Sequence, residues 1–382
     1  MNSKIQFTFY SKVSKLPENW NSLAVNNIFL SKEYLEVLEK SAPNNMSCLF
    51  IGFYIEDNLV GIALSQFLNL NLLKSFGDRD KCVKSSVRNF IFKNFCSHVL
   101  LIGNNMLTGQ NAFAFSEGID KKDIALGLLN AMNELKANIQ SSGKKVHITS
   151  LKDYENTDIV AFEKELNKDY FQFSTQPNMV FTILENWKTE QDYIDALSKK
   201  YRDQYKRARK KAAGTEKRKL NLQEIIALED EIYELYFHVA QNAPFNTFFL
   251  AKNHFRVFKE ILKDKFLFYG YFIDNKLIGF NTLIKNGTAM DTYFLGYDES
   301  IQKEKMLYLN MLYDMIAYSI NKGFHEIVFA RTALEIKSSV GAKPVEVYGF
   351  IKHETKLIDR CIKAIFNYLE PKTEWQERNP FK

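Results

Sequence analysis

Arg331, Glu335 and Lys337 stand just beyond HEIVFA at 325–330, a run that reads as a strand. Two cations around one carboxylate suit a phosphate-bearing donor or an acceptor carboxylate, since a hydrogen bond to a charged group is worth about 1.5–3 kcal/mol. In open α/β sheets the carboxyl end of a strand also borders the ligand crevice. An Arg331–Glu335 ion pair that only orders the loop competes with that reading. A second candidate lies in VLLIGNNMLTGQ at 99–110, where a strand breaks into Gly103-Asn104-Asn105 and then Thr108-Gly109-Gln110. Glycine removes the Cβ obstruction and lets backbone approach a ligand, although an ordinary turn has the same composition. A third candidate is electrostatic: residues 199–219 hold eleven Lys or Arg against Asp203 and Glu216, a local +9 in a chain whose total is +6.

Other chemistries find no pattern. There is no GxSxG, HExxH, Walker A or Rossmann fingerprint, and the six histidines form no ligand pair, so no metal is implied. His325, heading its strand, reads as a core histidine rather than a base. Cys48, Cys82, Cys96 and Cys361 lack CxxC spacing and read as reduced packing residues. With 46% hydrophobic and 25% charged residues the chain is globular. Its first residues lack a signal-peptide core and no apolar run nears the ~18–20 residues that span a bilayer, so a cytoplasmic location is expected.

The candidate residues need an α/β unit to hold them, and residues 266–337 read as one. FLFYGYFIDNKLIGFNTLIKNGTAMDTYFLGYDES carries three aromatic and β-branched runs separated by Asp274-Asn275 and Asn286-Gly287, the pattern of an antiparallel meander. Apolar residues at Met306, Leu309, Leu312, Tyr313, Ile316 and Ile320 then predict a helix over 305–322, closed by Gly323. The strand at 325–330 can lie parallel to its predecessor.

An earlier stretch repeats this unit. LFIGFYIEDNLVG at 49–61 matches LFYGYFIDNKLIG at 267–279 over thirteen positions, six identical, at a constant offset of 218. Downstream, Gly103 aligns with Gly296, and the helix and strand at 125–150 align with those at 306–330, as the offset falls to 193 and then 180. The spacing predicts two domains, 1–185 and 186–370, with an insertion near 70–98 in the first and a polar tail at 371–382. The insertion carries Lys74, Arg79, Lys81, Lys84, Arg88 and Lys93 and reads as a solvated loop. A strand at 179–186 ends the first domain.

Thr189 and Asp192 form a capping-box pattern at the start of a predicted amphipathic helix over 190–213. Its stripe is Tyr193, Leu197, Tyr201, Tyr205, Ala208 and Ala212. Its other faces hold Lys199, Lys200, Arg202, Lys206, Arg207, Arg209, Lys210 and Lys211, a density of like charge that favours an anionic partner over a merely solvated face. Helices at 222–241 and 250–263 flank a turn at Ala243-Pro244-Phe245-Asn246, and a helix at 355–369 precedes the tail.

The tandem meander–helix–strand units resemble the GNAT N-acyltransferase superfamily, and within it the two-domain FemAB-like branch related to peptidoglycan aminoacyltransferases. YIDALSKKYRDQYKRARKKAAG at 193–214 is similar to the basic helix that opens that branch's second domain. TYFLGYDES and FARTALEIKSSVGAKP resemble the strand and loop around its acyl-donor site. The resemblance implies an α/β (α+β) fold, a tandem duplication of two GNAT-like domains, each a mixed sheet flanked by helices. It implies transfer of an acyl or aminoacyl group to an amine of a cell-envelope precursor, an aminolipid or a similar small acceptor. The donor is acyl-CoA or another thioester, or aminoacyl-tRNA. Such chemistry needs a base for the amine and an oxyanion donor. Asp291, Asp298 and Glu299 fit the base, and Tyr293 or Tyr297 an acid to the leaving group. Arg331, Glu335, Lys337, Gln302, Lys303, Asn246, Arg202, Lys206, Gly103, Asn104, Thr108 and Gly109 complete the candidate binding set. One departure concerns coenzyme A: where the superfamily places a Gln/Arg-x-x-Gly-x-Gly/Ala loop, this chain reads YDESIQKEKMLYL, without either glycine. The alternative is a tRNA-binding or anionic-surface protein built on inactive GNAT domains. On either reading residues 199–219 would meet tRNA or an anionic membrane surface, a peripheral position at the inner membrane face is compatible with a cytoplasmic location, and a monomer is expected.

Overall fold

The computed structural model describes residues 5–73, 92–174, 176–242, 246–369 and 375–382. Residues 74–91, and with them Lys74, Arg79, Lys81, Lys84 and Arg88 of the insertion, lie outside the described residues, as does Cys82. Among the described residues, Cys96 is buried and Cys361 exposed, and none of the cysteines there is in a disulfide.

Two mixed sheets form. In the first, β1 (Gln6–Tyr10), β2 (Met46–Ile55), β3 (Asn58–Asn69) and β4 (His98–Ile102) are antiparallel neighbours, with β5 (Phe113–Phe115) also against β3. In the second, β9 (Glu216–Lys219), β10 (Phe266–Ile273), β11 (Lys276–Asn286) and β12 (Ala289–Tyr297) form the equivalent run. The thirteen-residue repeat holds pair by pair. Leu49 faces Ser65 as Leu267 faces Leu283, and the register slips between Phe53 and Tyr54 as it does between Tyr271 and Phe272. The slips are 218 residues apart, which puts the duplication in the hydrogen bonds as well as the letters. Asp274 and Asn275 both take positive φ, 49° and 62°, as a tight two-residue hairpin demands.

Each meander feeds a helix that covers one face of its sheet. α1 (Lys32–Ser41) is capped by Ser31, and α2 (Lys121–Ser141) buries Leu128, Ala131, Met132 and Leu135 in the first core. In the second, α8 (Leu307–Asn321) buries Leu312, Tyr313, Ile316 and Ile320. It matches the helix predicted over 305–322 and is preceded by a further helix, α7 (Glu299–Lys305), with Met306 between them at φ 48°. The helix predicted over 190–213 is likewise two: α3 (Glu190–Ala196), with its capping box formed, and α4 (Lys199–Lys211). The break is enforced at Leu197, which bridges Phe381, and at Ser198, whose N–H donates to Pro380 O. α5 (Glu229–Asn242) and α6 (His254–Leu262) follow.

The next strand lies parallel to the last of the meander: β6 (Ile148–Tyr154) beside β4, and β13 (Glu326–Ala330) beside β12. His325 precedes β13 and is exposed rather than a core residue. Beyond these, the halves of the chain exchange strands. β15 (Tyr348–His353) inserts between β6 and β7 (Phe171–Ser174) in the first sheet, while β8 (Asn178–Thr182) inserts between β13 and β14 (Lys343–Val345) in the second. The registers match, His353 on Ile148 and Thr182 on Glu326. The chain therefore packs as two discontinuous units: Met1–Thr175, Pro244–Ala251 and Glu346–Lys372 form the first, and Gln176–Ala243, Lys252–Val345 and Thr373–Lys382 the second. The linear division at 185/186 differs from this because β8 finds its ladder partners in the other sheet. Nor is the end of the chain merely a polar tail, since the Phe381 ring packs on Phe181, Trp187 and Tyr193.

Three of the six histidines meet in the first unit: His98 and His147 stack edge to face at 5.0 Å, and both lie near the end of β15 where His353 bonds Phe95 O. A chain ending at Val345 lacks β15, leaving β6 and β7 with open ladders. It is expected to lose the first unit's cooperative thermal transition by circular dichroism, and a full-amplitude two-step melt contradicts this reading of the sheet.

Candidate active site

The second unit differs from the first in one respect that creates a site. β12 pairs with β13 only at Ala289↔Glu326, Met290↔Ile327 and Asp291↔Val328. Thr292 then donates from Oγ1 to Val328 O at 3.0 Å, and β12 runs on to Tyr297 with no strand on that side among the described residues. Across the other edge, Asn281 faces Leu295 while Leu283 faces Thr292, so Tyr293 and Phe294 contain one extra residue, a β-bulge that bends and twists the strand. Thr282 Oγ1 donates to Phe294 O at 2.6 Å and pins it. Two parallel strands thus part, one of them bulged, and open a gap beside Tyr293. At Gly296 the backbone of α5 comes so close that a Cβ would lie 2.5 Å from the carbonyl carbon of Leu235. Only glycine fits there.

In the first unit the corresponding strands stay paired from Val99↔Ile148 to Ile102↔Leu151, and Gly103 N extends the β3 ladder to Leu64 O. Counting across the ladders, Ile102 occupies the place of Thr292, so Gly103 corresponds to Tyr293 and not to Gly296.

Of the proposed catalytic residues, Tyr293 is in the bulge, its hydroxyl 3.0 Å from His254 Nε2 and its ring stacked on that imidazole. His254 is fully buried at the start of α6 and had no sequence signal, because a lone histidine on a buried helix face looks like packing. Asp291 is also buried, at the last paired position, accepting from Asn286 Nδ2 at 3.0 Å; burial pushes its carboxyl up to about 7. Tyr297 closes β12 with its ring against Tyr308, and burial raises its hydroxyl. Asp298 is the N-cap of α7, and its bonds from Ser300 hold it below the usual carboxylate range, which suits a cap and not a base at neutral pH. Gln302 and Lys303 lie on α7, with Lys303 exposed.

The loop after β13 is ordered differently from its expected form. Ala330, Thr332 and Ala333 take φ of 59°, 67° and 48°, and α9 (Leu334–Ser339) follows. Lys337 faces inward: 4% exposed, its Nζ donates to the carbonyls of Phe329, Ala330 and Arg331 at 2.6, 3.1 and 2.6 Å. Burial pushes its ammonium down to about 7, while three acceptors call for the three-donor charged form. It is a brace for the loop, not a cation offered to a ligand. Glu335 pairs with Arg378 rather than Arg331, whose Nε donates to Gln176 O at 3.0 Å.

The first unit's turn is closed by its own bonds. Asn104 is buried and donates to Tyr34 Oη at 2.8 Å, Lys152 Nζ donates to Asn104 O and Leu107 O, and Asn111 Nδ2 donates to the carbonyls of Thr108 and Gly109. Asn246 falls in the segment Pro244–Ala251 that packs with this unit. On α4, Arg202 reaches back to Leu197 O at 2.8 Å, whereas Lys206 is exposed. Arg209 is drawn inward, bonded to Glu190 and Asp314.

Coenzyme A would require bare amides at the start of the helix after β12. That place holds α7, and Leu307 at the head of α8 is buried, its Cδ2 2.9 Å from where a Cβ on Gly279 would stand. In the first unit, Asp120 Oδ1 already accepts from Lys122 N at the head of α2. The residues do not fit a pyrophosphate held in that manner. Among the described residues no group of His, Cys, Asp and Glu is placed to hold a metal ion, and no helix is long and apolar enough to cross a membrane.

Among solved structures, the chain resembles FemX, at 11% identity and a TM-score of 0.54 over 96% of this chain and 100% of that one. It also resembles a tandem GNAT protein from the clavulanic acid biosynthesis pathway, at 10% identity and a TM-score of 0.51 over 91% of this chain and 98% of that one. The chain thus has the tandem GNAT, FemAB-like fold. No family model and no curated protein matches it.

The raised value at Asp291 has a sign. The fold favours the protonated carboxyl, so its stabilisation is complete below pH 4 and is lost as pH rises through 7. Asp291→Asn removes that slope, and its stability relative to wild type should increase between pH 4 and pH 8 by up to about 4 kcal/mol in urea titrations; parallel profiles contradict it.

Proposed function

We propose that this protein is an N-acyltransferase whose second unit moves an acyl or aminoacyl group onto an amine, on a cell-envelope precursor, an aminolipid or a similar small acceptor. The observation that carries the reading is the parting of β12 from β13 beside the bulge at Tyr293. The acyl group of a thioester or ester enters the gap beside the bulge, where backbone dipoles of β12 meet its oxygen as charge develops. The acceptor nitrogen bonds to the acyl carbon, and the carbon–sulfur or carbon–oxygen bond to the leaving group breaks. One proton must pass from the nitrogen to the leaving atom. Tyr293 Oη, hydrogen-bonded to His254 Nε2, is the pair we assign to that transfer.

The missing phosphate cradle favours a donor held by its acyl end over one held by a pyrophosphate, which is why aminoacyl-tRNA stands beside acyl-CoA as the donor. A second reading rests on α4, where Lys199, Lys200, Lys206, Arg207, Lys210 and Lys211 are exposed and form no ion pair among the described residues. Such a face suits tRNA or an anionic membrane surface, with or without catalysis.

Tyr293→Phe keeps the ring and removes the hydroxyl; transfer from thioester and aminoacyl-tRNA donors to amine acceptors, followed by product mass, should fall at least ~10-fold. Wild-type rates move the proton transfer elsewhere. Replacing Lys206, Arg207, Lys210 and Lys211 by Gln, sparing the anchoring Arg202, should weaken tRNA or anionic-liposome binding in a salt-dependent way while costing within about 0.5 kcal/mol of stability per site. Undiminished binding removes the second reading.

A further inference from the structure

At the other end of the first sheet from the Gly103 turn lies a cavity of about 560 Å3, within the size range of small-molecule sites. His98, the first residue of β4, lines it with Phe67, Asn69, Asn45, Lys144 and Lys145. The Phe67 and His98 rings are stacked, 6.1 Å apart and 26° from parallel, so the wall is aromatic. The lysines arrive on the turn between α2 and β6, are exposed, and form no ion pair among the described residues. Asn45 is held rigid, its Nδ2 donating to Thr247 O at 2.9 Å and its backbone carbonyl accepting from Asn69 N at 2.8 Å.

The hydrogen bonds around Ser97 determine which nitrogen of His98 carries the proton. Ser97 Oγ donates its single hydrogen to Lys93 O at 2.8 Å and accepts from Asn71 Nδ2 at 3.0 Å. Its contact with His98 Nδ1, at 3.1 Å, must therefore be donated by the imidazole. The neutral ring then presents Nε2 as a bare acceptor. Burial and Lys145 both lower the imidazole's basicity, which keeps it in that form at neutral pH.

We propose that this cavity binds a small phosphorylated ring compound, a nucleoside phosphate or a sugar phosphate. The ring lies against Phe67 and His98, an O–H or N–H of the ligand donates to His98 Nε2, and the phosphate meets Lys144 and Lys145. This site is independent of the parted strands of the second unit, and nothing in acyl transfer requires it.

The test is calorimetric titration of the full chain with a nucleoside monophosphate, a hexose phosphate and inorganic phosphate, alongside Lys144→Gln/Lys145→Gln and His98→Phe. At least one ring phosphate should bind at least ~10-fold tighter than inorganic phosphate, and the double lysine variant, altered only at exposed positions, should weaken it by ~10-fold or more. His98→Phe should weaken it at least ~5-fold, and in the wild type the His98 Nε2 resonance should shift on binding, a readout that does not depend on the variant's folding. Which ring phosphate binds separates the two sources. The proposal is overturned if none of the probes binds, if inorganic phosphate binds as tightly as both ring compounds, or if the lysine variant binds unchanged with an unmoved His98 resonance.

Discussion

Once β12 leaves β13, each backbone N–H and C=O along its far half must find another partner, because a buried polar group left unmade costs about 1–3 kcal/mol. The second unit satisfies most of them locally. Thr292 extends the ladder by one bond through its hydroxyl, and Thr282 reaches Phe294 O across the bulge. Helix α5 closes on Gly296 until no side chain fits between them. The facing wall is held in the same way, with the three carbonyls at the end of β13 converging on Lys337. The gap between β12 and β13 is thereby held open on both walls.

The two copies of the fold have diverged at this feature. The first keeps the meander and even the bulge register, yet β4 stays with β6 to its end and turns at once into a loop sealed by Asn104, Asn111 and Lys152. A lysine bonded to loop carbonyls thus recurs in both units, bracing a closed turn in one and, fully buried, the rim of a gap in the other.

Much of the fold was readable from sequence wherever a pattern is local. The meanders, the capping box at Thr189 and the 218-residue repeat all follow from turn chemistry and alternation over a few residues. The helix break at Leu197 was not readable, because it depends on Pro380 and Phe381 far along the chain, nor was α7, which ends at Met306, a non-glycine residue in a left-handed conformation. The strand exchange is invisible for the same reason: β8 and β15 are ordinary strands, and nothing in their letters says which sheet completes them. At the candidate site, Tyr293 and Tyr297 shared one expected role and His254 had no signal. Lys337 reads as a ligand-facing cation in sequence because sequence shows charge without showing burial.

The exchange also bears on how the chain is made. In a simple tandem protein the first domain closes while the second is still being synthesised. Here the first sheet lacks its inner strand until residues 348–353 leave the ribosome, some 180 residues after β7. At roughly 5–20 residues per second, β6 and β7 wait on the order of ten to forty seconds with unpaired edges. During that interval β8, the strand that follows β7 directly in the chain, is the nearest competitor for the empty place. Maturation of the protein therefore includes a choice between two similar strands, and the later one must win.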